Sequence, residues 1–328
     1  MGWFFDQSIN EFLQNLFPDW LEKIFLGITY FGEAIIYILL LAIAFWVFNK
    51  RDAIIAIYVF LTTTFLNFFL KVLIQKPRPS ASIRLQEVEG FSTPSGHAQN
   101  STVIYGWIML YFKKIWLYIL VPILVVLISL SRVVLGVHYI GDVILGILIG
   151  ATLLAMLYFG IPPLLKWMEK WPMWVKILAG EVYGIIVFIM TFIPGILADW
   201  PSPEESSNLA DIISVLMVLP IFFWIEDKWV KMNNDNLTWY SIVLRITIGA
   251  AVLIGAYFGF SLLFGMITLE SMTNYYAKYT ADFFIRFIRY TVVVALAGLG
   301  MPLLFSRVKI FNHKRVPKEV IVDTTVKA

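Results

Sequence analysis

The sequence contains no cysteine. Thiol nucleophiles, cysteine metal ligands and disulfide cross-links are therefore excluded, while the compartment stays open. Charge is scarce as well. Only 14% of the 328 residues are Asp, Glu, Lys or Arg, where a soluble domain carries about 25%. The net charge of +3 is small and thinly spread, which argues against nucleic acid as a partner. Histidine is rarer still, with His97, His138 and His313 alone. The chain is instead 60% hydrophobic, with a mean hydropathy of +0.81. That excess is too large for one water-soluble core. It fits an all-α, polytopic integral membrane bundle, because a helix needs about 20 apolar residues to cross a bilayer.

Apolar runs alternate with short charged or turn-rich breaks. The pattern gives nine candidate spans, at 33–48, 53–74, 98–112, 115–135, 139–160, 174–194, 209–226, 241–265 and 284–305. Residues 1–30 lack the basic start and continuous apolar stretch of a signal peptide. Trp3, Phe4, Phe5, Ile9, Phe12, Leu13, Leu16, Phe17 and Trp20 recur at helical spacing between polar residues. They read as one amphipathic helix lying in the headgroup plane. Pro162, Pro163 and Pro172 mark a seam at 161–173. The chain thus divides into an interfacial helix (1–30), a membrane core (31–165) and a further transmembrane bundle with a basic tail (166–328).

The breaks carry a sign pattern. Lys50–Arg51, Lys113–Lys114, Lys166 with Lys170, Lys228 with Lys231, and a tail with Arg307, Lys309, Lys314, Arg315 and Lys318 fall on one side if all nine spans cross. The break at 199–211 holds Asp199, Glu204, Glu205 and Asp211 without a cation. Lys and Arg mark the cytoplasmic side. The expectation is a multi-pass cell-membrane protein with its C-terminus in the cytoplasm.

Three polar clusters break the apolar background, all at span ends on the opposite, extracytoplasmic side. They are Lys71-x6-Arg78-Pro79, Pro94-Ser95-Gly96-His97, and Ser131-Arg132-x5-His138-x3-Asp142. Taken singly, each has a plain explanation: an interfacial cation, a turn, a structural helix pair. Together they are parts for phosphoryl transfer. Lys71, Arg78 and Arg132 can surround a phosphate dianion, the two arginines with a planar fork suited to its oxygens. Ser95 and Gly96 open a helix, where free N–H groups favour an anion. His138 and Asp142 share a helix face, so the carboxylate can hold one ring nitrogen and leave the other as nucleophile. His97 suits the acid that protonates a leaving oxygen.

With these three signatures the sequence resembles the type-two phosphatidic acid phosphatase superfamily, the integral membrane lipid phosphatases that share an active site with vanadium haloperoxidases. The resemblance covers roughly residues 30–165, and no signature position departs from the pattern. It implies that His138 forms a phosphohistidine, that Asp142 orients it and that His97 protonates the leaving group. Lys71, Arg78, Ser95, Gly96 and Arg132 become phosphate ligands, and no metal or other cofactor is needed. The expected partners are a lipid phosphate and the surrounding membrane lipids. Candidate substrates are polyprenyl phosphates or diphosphates, phosphatidic acid and phosphatidylglycerophosphate. Phosphotransfer through the same intermediate, or a non-catalytic transporter or scaffold, are the alternatives; the intact His97, His138 and Asp142 weigh against a scaffold. Three further residues bear on the headgroup. Glu33 either shapes a headgroup site or is an ordinary interfacial residue. Arg286 and Arg289 either snorkel or pair with a carboxylate of another span, or face the mouth of the site.

Overall fold

The computed structural model describes residues 3–198, 203–267 and 275–314. Asp199 of the acidic break and Arg315 and Lys318 of the tail lie outside the described residues. Twelve α-helices are present among the described residues, without a β-strand: α1 (Ser8–Leu16), α2 (Asp19–Thr29), α3 (Ala34–Val47), α4 (Lys50–Ile74), α5 (Gly96–Phe112), α6 (Leu117–Val134), α7 (Ile140–Met168), α8 (Met173–Ala198), α9 (Pro203–Ile225), α10 (Trp239–Gly265), α11 (Tyr275–Ala295) and α12 (Met301–Arg307). The fold class is the expected all-α membrane bundle, and each of the nine apolar runs coincides with a helix. The count of nine crossings is not supported. Among the described residues, six helical segments are long and apolar enough to cross, or seven if the bent pair Trp20–Gly32 and Ala34–Val47 is one span. α5, with 17 residues, is short for a full crossing.

The N-terminal region departs from the expectation. Residues 1–30 are not one interfacial helix, because Pro18 adopts an extended ψ of 155° and separates α1 from α2. α2 packs along α6 and leads into α3 through a 45° bend. The seam also moves. Pro162 and Pro163 lie inside α7, which continues to Met168.

α4 fixes the two ends of the core. At its start Asn49 accepts hydrogen bonds from the backbone N–H groups of Arg51 (2.9 Å) and Asp52 (3.4 Å). Its 25 residues end at Gln75 in the left-handed region, with Lys71 in the last turn. Spanning about 37 Å at the α-helical rise, α4 carries Lys50 and Arg51 at one end and the first phosphate-ligand candidate at the other. Arg51 reaches Glu169 past the end of α7 (3.3 Å) and Lys50 pairs with buried Glu226 after α9 (2.8 Å). The basic breaks thus gather at the end opposite the three clusters.

Glycine permits the closest approach in the core. A Cβ at Gly146 of α7 would lie 2.7 Å from the Ser95 carbonyl, and one at Gly150 would lie 2.7 Å from that of Gln99. This small-x3-small face seats α7 against α5. The C-terminal helices share the same apolar core: Tyr37, Phe60 and Ile128 belong to one buried cluster with Val187, Leu216 and Phe283. A second join is polar. Arg245 of α10 is fully buried and donates to the carbonyls of Phe311 (2.8 Å) and Trp46 (2.7 Å) and to Asn234 Oδ1 (2.7 Å).

Candidate active site

The three clusters converge where the ends of α4 and α6 meet the starts of α5 and α7. His138 occupies the turn before α7 and is buried with its ring between two partners. Nδ1 lies 3.4 Å from Asp142 Oδ2, and Nε2 lies 3.2 Å from Arg78 Nη1. The helical spacing of His138 and Asp142 thus sets the carboxylate beside one ring nitrogen. Burial pushes the His138 imidazole well below its ordinary pKa, and the Arg78 and Lys71 charges add to this against the pull of Asp142. In a neutral ring whose Nδ1–H is held by Asp142, the nitrogen facing Arg78 carries a lone pair.

Asp142 is held from several sides. Ser92 Oγ and Thr93 Oγ1 each donate to one of its oxygens, and the Tyr139 backbone N–H donates to Oδ2 at 2.8 Å. Its own backbone carbonyl accepts from Ser95 N–H at 3.0 Å. Arg78 is equally constrained: its guanidinium donates to the carbonyls of Glu89, Gly90 and Val137 at 2.9–3.1 Å. These bonds aim the fork at His138 before any ligand arrives.

Ser95 is the N-cap position of α5, yet its buried hydroxyl makes no hydrogen bond within the protein. Gly96 follows; a Cβ there would lie 3.0 Å from Asn67 Oδ1. Asn67 also donates to the Pro94 carbonyl (3.3 Å) and to Gln99 (2.9 Å), and Gln99 donates to Thr63 (3.0 and 3.1 Å), pinning the loop to α4. Arg132, in the last turn of α6, is 2% exposed. Its Nη1 donates to Thr29 Oγ1 (2.7 Å) and Gln86 Oε1 (3.1 Å), while Nε has no partner within the protein. Lys71 stands near enough for its charge to act on both histidines. Buried polar atoms are nearly always paired. Here Ser95 Oγ at the start of α5 and Arg132 Nε at the end of α6 find no hydrogen-bond partner among the described residues, a donor pair suited to an oxyanion.

Other residues fall elsewhere. Lys76 lies over the rings of Phe5 (4.6 Å) and Tyr139 (5.4 Å), so it braces the N-terminal segment. Glu33 contacts His97, at 3.3 Å. Arg286 and Arg289 sit on α11, which packs on α9 and α10. Arg286 bonds Asp282 (3.0 Å) and lies 3.9 Å from Asp211 of α9, and Arg289 lies over the Tyr290 ring at 4.9 Å. Arg286 thus meets one carboxylate of its own helix and one of a neighbouring helix.

Sequence reasoning missed Ser92 and Thr93, loop hydroxyls with no distinctive spacing. It also missed the roles of Asn10 and Gln14. Buried Asn10 donates to the carbonyls of Val133 (2.7 Å) and His138 (2.9 Å), and Gln14 donates to those of Val134 (2.7 Å) and Ile83 (2.9 Å). α1 thus clamps the turn that carries the nucleophile candidate. The one available signal was a pair of carboxamides one helical turn apart.

The PAP2 superfamily profile matches residues 52–164. The chain is 31% identical over 162 residues to phosphatidylglycerophosphatase B of Bacillus subtilis, which covers 45% of this chain and 79% of that protein. The chain belongs to the PAP2 superfamily. A second profile, the transmembrane extension of PAP2 superfamily phosphatases, matches residues 212–314. Much of the C-terminal half, which the sequence motifs left unassigned, is therefore part of a known PAP2 architecture. Lipid A 4'-phosphatase of Bacteroides thetaiotaomicron is 33% identical over 94 residues, 26% of this chain and 42% of that protein. A crystal structure of the transmembrane PAP2 type phosphatidylglycerolphosphate phosphatase from Bacillus subtilis is 27% identical and covers 48% of this chain and 84% of that one, with a TM-score of 0.43.

Proposed function

We propose that this PAP2 protein hydrolyses a phosphomonoester or diphosphate of a membrane lipid through a phosphohistidine on His138. The observation that carries the reading is the His138 ring itself, with Nδ1 on Asp142 and Nε2 beside Arg78. In this mechanism Nε2 attacks phosphorus as the P–O bond to the lipid breaks. Asp142 stabilises the positive charge that the ring acquires. Lys71, Arg78 and Arg132 neutralise the transferring group. His97 gives its proton to the leaving oxygen. It then takes one from the water that attacks phosphorus and frees His138.

The relatives' names support a phosphate on an amphiphilic lipid, since one is a phosphatidylglycerophosphatase and the other a lipid A 4'-phosphatase. The motifs themselves read phosphate rather than the lipid attached to it. The deciding experiment is phosphate release by the purified protein from phosphatidylglycerophosphate, phosphatidic acid, and polyprenyl mono- and diphosphates. Turnover of at least one is expected, at a rate far above that of the His138→Ala protein. Release from none, or equal release by the variant, would overturn the reading.

The same reading puts the site on the extracytoplasmic side, because the basic breaks gather at the other end of the bundle. A cysteine placed at exposed Glu87 is expected to react with an impermeant thiol reagent in whole cells. One placed at exposed Lys309 is expected to stay unlabelled until the membrane is opened. The chain has no cysteine of its own to obscure the result. The reverse pattern would move the chemistry to the cytoplasmic leaflet.

A further inference from the structure

His97 is poorly prepared, by itself, to act as an acid. Burial is the largest influence on it, and together with the Arg132 and Lys71 charges it pushes the imidazole down to about 4. At neutral pH such a ring has lost its proton. The opposing influence comes from one carboxylate, Glu33, whose Oε1 lies 3.3 Å from His97 Nε2.

The placement of Glu33 is unusual for its position. It is the N-cap residue of α3, where an acidic side chain commonly accepts the first free amides, yet its carboxylate makes no capping hydrogen bond. It points instead across to the start of α5. The ring meets it closely because Gly32 precedes it: a Cβ at Gly32 would lie 2.5 Å from His97 Cδ2 and 2.9 Å from Ile128 Cγ2. Cδ2 and Cγ therefore face Gly32 while Nε2 faces Glu33, which leaves Nδ1 as the ring nitrogen away from the carboxylate. Glu33 is the near acceptor for Nε2, which has no other hydrogen-bond partner among the described residues. The other charged groups around His97 are Arg132 from α6 and Lys71 from α4, both cations. On α7, Asp142 is committed to Ser92, Thr93 and Tyr139 N–H.

We propose that Glu33 is the positioning partner of His97: it holds the Nε2 proton, and with it the charged ring, so that Nδ1–H can protonate the leaving oxygen. The site then contains two histidine–carboxylate pairs of opposite purpose. His138–Asp142 presents a lone pair, and His97–Glu33 presents a proton. In the step itself Nδ1–H passes its proton to the departing oxygen, and neutral His97 keeps Nε2–H directed at Glu33. The proposal rests on the phosphatase reading above.

Its signature is dependence on the leaving group. An alkoxide leaves with difficulty and needs the acid; p-nitrophenolate, or the phosphate released from a diphosphate, leaves with little help. Glu33→Gln is expected to lower kcat for a short-chain phosphatidic acid by about 10- to 100-fold, part of the range for general acid catalysis. Its effect on the burst of p-nitrophenolate released from p-nitrophenyl phosphate, the step that needs no acid, is expected to stay within about threefold, since nucleophile and phosphate ligands are untouched. The basic limb of the phosphatidic acid profile should move to lower pH, because a neutral amide no longer favours the charged ring. In the His97→Ala background, Glu33→Gln should add little. Equal losses on both substrates, an unmoved pH limb, or a rise in KM with kcat intact would overturn the proposal, the last by making Glu33 a headgroup contact. A native protein that hydrolyses neither substrate would overturn the phosphatase reading itself, which is a different result.

Discussion

Replacing His138 with alanine is expected to lower lipid phosphate turnover by about 10⁴-fold or more, the scale on which loss of a nucleophile acts in covalent catalysis. No neighbouring group can take over. Ser92 and Thr93 have their hydroxyls committed to Asp142, and His97 faces Glu33. The fold should survive, because Asp142 keeps Ser92, Thr93 and Tyr139 N–H, while Arg78 keeps its three backbone carbonyls. Binding of inorganic phosphate should persist, since the three cations remain. Steady-state assays alongside a phosphate titration check both halves. Loss of binding together with turnover would mean that the site had collapsed, whereas retained turnover would remove His138 from the chemistry.

Asp142→Asn is expected to be nearly as damaging, by about 10³-fold or more in kcat, and also to destabilise the protein by about 2–4 kcal/mol. The reason is a count of donors. Asp142 receives the Ser92 and Thr93 hydroxyls, the Tyr139 N–H and the His138 Nδ1 side. An ionised carboxylate accepts at both oxygens, but an amide replaces one acceptor with an NH2 group. Either amide orientation sets that group against a buried donor. If it faces His138, the ring adopts the wrong tautomer and Nε2 loses its lone pair. Ser92→Ala with Thr93→Val keeps the carboxylate and should cost less in rate. Thermal unfolding in detergent with kcat for each variant separates the two effects. An Asp142→Asn protein with native stability and activity would contradict the arrangement.

The parts of the site that were legible in the sequence are those whose chemistry depends on local spacing. His138 and Asp142 are one helical turn apart in any helix, and Ser95-Gly96 opens one. The parts that stayed hidden depend on distant chain segments. Asn10 finds its carbonyl acceptors 123 and 128 residues away. An amphipathic α1 has the same periodicity whether its apolar face meets lipid or protein. Glu33 looks like any interfacial carboxylate until α5 is set beside it. An arginine near a span end likewise looks the same snorkelled or paired, and Asp211 decides the matter for Arg286 only once α9 and α11 are in contact. Span counting failed for a related reason. Apolar content marks a helix well, but the 14 residues of α3 are fewer than a crossing requires without α2.

The central claim is a covalent phosphoenzyme on His138, and direct trapping tests it. His97→Ala supplied with p-nitrophenyl phosphate should form the intermediate readily, because the leaving group needs no acid, and hydrolyse it slowly, because the group that activates water is gone. After a rapid quench, the protein should carry an acid-labile, base-stable phosphate located by mass spectrometry on His138. The label should be absent when His138→Ala is added. A phosphate on any other residue, or phosphate release from the native protein with no phosphoenzyme in this trap, would contradict the account.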